Sequence, residues 1–182
     1  INILFKNLIL NNYDCIQAKL RVNNPLSYWQ KAMDANMQYC TTVPGSTNMI
    51  GRPALYKSKL LKKVGMDVSF NNIGNEDAAL SIRLAMVGAR QGIGNGISFR
   101  FHPYSFKENF MAWRKYGYGD ANLIIKYSKT FNVLRHQLYI YPIKRSFVLI
   151  KNKKGKYIGY TILTGLIRFL FMINRFVLKN HK

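Results

Sequence analysis

Between Tyr13 and Val22 the chain alternates, with Cys15, Ile16, Ala18, Leu20 and Val22 set among Gln17, Lys19 and Arg21. Period two over that length predicts a strand. Asn23-Asn24-Pro25 breaks the run, and from Ser27, a suitable N-cap, residues Tyr28, Ala32, Met33, Asn36, Met37 and Cys40 recur at three and four. That spacing predicts an amphipathic helix through Tyr39. A chain whose hydrophobic period changes so abruptly must hold strands and helices together.

The same reading gives the other elements. Ile3–Leu10 has the spacing of a short helix, and Pro44-Gly45 ends the region of the second helix. Thr47–Gly51 reads as a short strand around Met49 and Ile50, followed by a helix over Leu55–Val64 that Gly65 closes. Asn71–Asn75 is a polar turn, and Asn75 is placed to cap a helix from Glu76 to Val87 that buries Ala79, Leu80, Leu84 and Val87 and stops at Gly88. Gly92, Gly94 and Gly96 precede a strand rather than open a helix, so they read as a turn and not a phosphate cradle. Ile97–His102 alternates again, Pro103 terminates it, and Ser105 caps a long helix to about Tyr127, carried by Phe106, Phe110, Trp113, Tyr116, Tyr118 and Leu123 through a Gly117-Gly119 interruption. Internal repeats and low-complexity segments are absent.

Composition narrows the class. With 182 residues and 48% hydrophobic side chains, the chain has material for one packed domain, which excludes disorder throughout. Cys15 and Cys40 are the only cysteines, too few for a disulfide-stapled scaffold, and are expected reduced and without a disulfide partner, as in an intracellular protein. Twenty-eight Lys and Arg against 7 Asp and Glu leave a net charge of +21, which points to an anionic partner. Residues 1–91 carry 11 basic and 5 acidic side chains, the remainder 17 and 2. After Asp120 there are 13 basic residues and no acid, so phospholipid and nucleic acid are the two candidates. Tyr139–Lys156 could stack on single strands, yet no nucleic-acid-binding module pattern is present, and nucleic acid is not expected.

The apolar run Tyr157–Leu178 has 22 residues, long enough for a bilayer core of about 30 Å. Arg168 near its middle would cost roughly 2.5–3.5 kcal/mol in a span. An interfacial or re-entrant helix is therefore the expectation, with the basic tail holding the protein to the cytoplasmic face of the membrane. The chain opens on Ile1 with no signal-peptide pattern, and is expected to begin partway through a longer protein.

Among the acids only Glu76 and Asp77 are adjacent, at the start of a helix after a polar turn. They complement the helix dipole, worth about 0.3–1 kcal/mol, or one of them serves as a general base on a loop-to-helix edge. Val64-Gly65, then Asn75-Glu76-Asp77-Ala78-Ala79-Leu80-Ser81-Ile82-Arg83-Leu84 and Gly88, resembles the segment of family 2 glycosyltransferases in which Val-Gly precedes a Glu-Asp-x-x-Leu-x-x-Arg-Leu helix. Gly45–Arg52 is similar to the small-residue strand before it, and His102 with Trp113-Arg114-Lys115-Tyr116-Gly117-Tyr118-Gly119 to the histidine and aromatic-basic helix after it. The likeness covers about residues 13–126.

The resemblance implies an α/β fold, a partial GT-A sandwich over residues 1–138, with residues 139–182 as a basic, aromatic, membrane-associated helical extension. It implies an inverting enzyme that moves a sugar from a nucleotide-sugar donor to a hydroxyl of a glycan or lipid-linked acceptor. Carried over residue by residue, Asp77 is the base and Glu76 orients the sugar beside it. His102 would help bind a divalent metal, Mn²⁺ or Mg²⁺, on the donor diphosphate. Arg114 would meet phosphate, Trp113 would wall a sugar ring, and Asn48 and Arg52 would contact substrate. One departure matters: the nucleotide-binding half and the Asp-x-Asp motif that would share the metal do not occur here, where Asp14 stands alone. The chain by itself is then expected to be inactive. The rival class is a non-enzymatic basic module for membranes or nucleic acid, with Glu76-Asp77 an ordinary helix start.

Overall fold

The computed structural model describes residues 1–70, 74–127 and 132–180, and the turn expected at Asn71–Asn75 lies partly outside them. The architecture is mixed α/β, with a four-stranded mixed sheet. Helix α1 (Asn2–Leu10) leads into strand β1 (Cys15–Val22). Ser27 caps α2 (Tyr28–Asn36) through a reciprocal pair of bonds with Gln30, a capping box, and a π-helical turn over Met37–Thr41 continues it. Two short strands, β2 (Gly45–Ser46) and β3 (Ala54–Tyr56), precede α3 (Ser58–Val64) and α4 (Glu76–Met86). Strand β4 (Gln91–Arg100) is followed by α5 (Phe106–Tyr127), which Ser105 and Glu108 cap reciprocally. The C-terminal region is helical: α6 (Val133–Arg135), a π-helical stretch over His136–Lys144, α7 (Arg145–Lys151) and α8 (Ile158–Asn180).

The sheet runs β2-β4-β1-β3, with β4 parallel to β1 and the edge strands antiparallel. Helices cover both faces of β1, which is why Cys15, Ile16, Gln17 and Ala18 are buried in succession. Ile16 and Ala18 pack on Leu4 and Leu8 of α1, whereas Cys15 packs with Ile50, Leu80 and Leu84 on the α4 side. The polar side expected of β1 is thus half wrong: Gln17 is buried and its side chain accepts the Gly51 N–H at 2.6 Å.

Three expectations around the sheet are corrected. Gly92, Gly94 and Gly96 form no turn; they lie in β4, where Gly92 pairs with Ile16 and Ser46, and Gly94 and Gly96 fall in the irregularity between the Ile93 and Ile97 pairings with β1. They are glycine because α1 presses on the strand: a Cβ on Gly94 would sit 2.9 Å from both Leu4 and Ile16, and one on Gly96 3.0 Å from Leu4. Thr47–Gly51 is no strand, since the Ile50 N–H goes to Ser81 Oγ at 2.9 Å and that of Gly51 to Gln17. Pairing with β1 begins only at Ala54, and the helix after it starts at Ser58 rather than Leu55.

Helices α5 and α8 pack closely where Gly117 meets the Arg168 carbonyl, a contact that leaves 2.6 Å for any added Cβ. Gly117 and Gly119 do not interrupt α5; they admit neighbouring backbone. Arg168 turns inward and binds Asp120 through Nε at 2.9 Å and a second nitrogen at 2.7 Å, with Tyr141 Oη 2.6 Å from the third.

Candidate active site

Helix α4 begins beside the irregular segment 47–53, and this juxtaposition assembles the site. Asn75 holds a left-handed conformation at φ 65°, which turns the chain sharply into the helix. Its side chain does not cap α4 as the sequence suggests. Instead Nδ2 donates to Asp120 Oδ1 at 2.7 Å and to the Tyr116 carbonyl at 3.2 Å, tying the head of α4 to α5. Gly74, at φ 86°, lies against Lys115 and Tyr116.

Glu76 and Asp77 then project toward Arg52, whose guanidinium clamps both: one terminal nitrogen to Glu76 Oε1 at 2.8 Å, Nε to Asp77 Oδ1 at 2.8 Å. The other Asp77 oxygen, Oδ2, faces Gly51, 3.7 Å from where a Cβ there would be. Gln17 borders the same point. Burial raises the proton affinity of Asp77, the Arg52 charge opposes that, Glu76 adds to it, and the net direction is upward. Tyr56, on β3, has its phenol pushed up to about 12, first by burial and then by the Asp77 charge. The arrangement is a carboxylate pair fixed by one guanidinium, in which burial raises the proton affinity of Asp77.

The other expected residues are placed as follows. Arg52 joins the carboxylates, whereas Asn48 is exposed in the turn that Thr47 Oγ1 closes on Met49. Trp113 is 3% exposed and packed among Trp29, Phe106 and Tyr160, so its ring is a core aromatic with no open face. Arg114 is exposed and lies over Tyr118 and Phe171, each ring centre 5.7 Å away. It is the next pair along α5, Lys115 and Tyr116, that borders the turn into Glu76. His102 follows the end of β4, where burial and the Arg100 charge lower its imidazole to about 4 and Nδ1 is buried with no hydrogen-bond partner. The phenol of Tyr116 feels the charges of both Arg100 and Glu76. Among the described residues no group of three His, Cys, Asp or Glu converges on one point.

Sequence reading missed Gln17 and Tyr56 at the site and Asn75, Asp120 and Arg168 behind it. Asp120 as the last acid of the chain, and Arg168 in the middle of an apolar run, were the available signals for the last two. Comparison with protein-family models and with characterised protein sequences gives no match.

Proposed function

We propose that this chain is the acceptor side of an inverting, GT-A type glycosyltransferase in which Asp77 is the general base. The observation that carries the reading is Asp77 itself: a half-buried carboxylate of raised proton affinity, fixed through Oδ1 by Arg52 and presenting Oδ2 beside Gly51. A hydroxyl of a glycan or lipid-linked acceptor donates its hydrogen bond to Asp77. As its oxygen forms the bond to the anomeric carbon, the proton passes to the carboxylate. The bond from that carbon to the donor diphosphate breaks on the opposite face, and its electron pair leaves with the nucleoside diphosphate. Arg52 holds the base in one orientation, and Glu76 lies at the flank to orient the sugar.

Arg100, whose charge reaches Tyr116, and Lys115, which lies against Gly74, are both exposed and are the cations that would meet the leaving diphosphate. A divalent metal would neutralise charge on that group. His102, with its unpartnered Nδ1, would offer it one imidazole ligand, and a single imidazole does not hold such an ion alone; the proton transfer above uses Asp77 only. The test is nucleoside diphosphate release by the full-length protein over a panel of nucleotide sugars. Asp77→Asn keeps the size and removes the basicity, and should lower turnover by roughly two to four orders of magnitude. Turnover within a few-fold of wild type would make Glu76-Asp77 an ordinary helix start.

A further inference from the structure

From Ile158 to Val177 the exposed side chains of α8 are Ile162, Leu166, Leu170, Ile173 and Val177, with Asn174 the single polar one. Their spacing of four, four, three and four sets the five apolar groups within an arc of about 80°. A helix bathed in water carries charge on such a face. Here the charged residue of the helix centre, Arg168, is turned to the opposite side and paired with Asp120. The remaining faces are closed: Tyr160 and Ile167 pack with α2 and Trp113, Met172 packs with α5, and Gly165 lies against the carbonyl of Gln137 and the side chain of Tyr141. Cations gather at the N-terminal end of α8, where Lys151, Lys153 and Lys156 are exposed and no acid occurs after Asp120.

We infer that this row is a docking face for an anionic phospholipid leaflet, with α8 lying in the plane of the interface and the lysine cluster on the headgroups. The helix is long and apolar enough to cross a bilayer, but one side of it is packed on α2 and α5 and holds the Arg168–Asp120 pair, so it does not offer lipid an apolar surface all round. Charge complementarity selects the occupant: a basic end beside an apolar row matches acidic headgroups over acyl chains. The cost assigned to Arg168 from the sequence does not arise, because its guanidinium never faces lipid. The inference is independent of the transferase reading, since Asp77→Asn leaves the row untouched.

The experiment is co-sedimentation of the chain with phosphatidylcholine vesicles with and without phosphatidylglycerol, at rising salt. Vesicles with the acidic lipid should bind the protein, and high salt should release only part of it. Replacing Lys151, Lys153 and Lys156 by Gln should weaken binding roughly a hundredfold, about fivefold per lysine. Leu166→Asp with Leu170→Asp should cost roughly two to three orders of magnitude. Leu170→Trp supplies a signal in a folded protein: its emission should shift blue on adding acidic vesicles. Equal binding to phosphatidylcholine alone, binding unaffected by the leucine changes, or resistance to alkaline carbonate would each overturn the inference. So would tighter binding to single-stranded DNA, or self-association that Leu170→Asp removes.

Discussion

Burial raises the proton affinity of Asp77 and Arg52 only partly offsets it, with a consequence for stability as well as catalysis. A carboxyl whose folded pKa exceeds its unfolded value of about 3.9 is destabilising when ionised, and the penalty fades as pH falls through the folded pKa. Asp77→Asn should therefore melt no lower than wild type at neutral pH, and any advantage should shrink in acid; a drop of several degrees at pH 7 would contradict this. Asp67 behaves oppositely. Burial works against its ionisation, but Lys126, Tyr127 and Ser69 outweigh that and hold the carboxyl well below the usual range. Its contribution is present above the unfolded value and lost as pH falls through the folded one, so Asp67→Asn should cost about 1.5–3 kcal/mol at pH 7 and much less near pH 2. Urea melts across that range measure both. For His102, burial lowers the imidazole to about 4, so its ring resonances should keep their neutral positions through pH 5.5 in an NMR titration, where an ordinary histidine is mostly charged.

Among the elements, the tie between α5 and α8 is the most exposed to test. Arg168→Met leaves Asp120 buried with Asn75 and Gln137 but no cation, and should cost about 3–5 kcal/mol in urea unfolding. Adding Asp120→Asn should recover a large part, a coupling that a double-mutant cycle reads directly; additive losses would show that the pair is not the tie. This element was also the least legible in the sequence. Ser27 with Gln30 and Ser105 with Glu108 announce their helices, because capping is local chemistry that four residues contain. The glycines of β4 could not announce a strand, since what requires them is Leu4, Ile16 and Tyr13 pressing from elsewhere. Arg168 looked like an intruder in an apolar run because its partner lies 48 residues away in the chain. At the site, the Glu76-Asp77 pair and Arg52 were legible as residue types, whereas Gln17 and Tyr56 reach it only through the β1–β3 pairing.

The whole molecule adds one further physical fact, the disposition of its seven acids. Arg21, Arg52, Lys57, Lys126 and Arg168 take six of them in ion pairs, and Glu108 accepts hydrogen bonds from the N–H groups of Tyr104 and Ser105. Among the described residues the other cations have no carboxylate within ion-pair distance, so the unpaired charge of the molecule is overwhelmingly positive around a core held by apolar packing. Self-repulsion of that charge opposes compactness, and salt relieves it over a Debye length that falls to about 8 Å at 0.15 M. Ion pairs at the surface are weakened by the same salt, but each is worth at most about 1 kcal/mol and the most buried one, Arg168 with Asp120, is screened least. Repulsion should win. The melting temperature should rise by a few degrees between a dilute buffer and about 0.15 M sodium chloride, since 1 kcal/mol moves it by roughly 2–4 °C at this size. Calorimetry at a series of salt concentrations gives the sign, and a temperature that falls as salt is added would mean that ion pairs, and not the unpaired cations, govern the electrostatics of this fold.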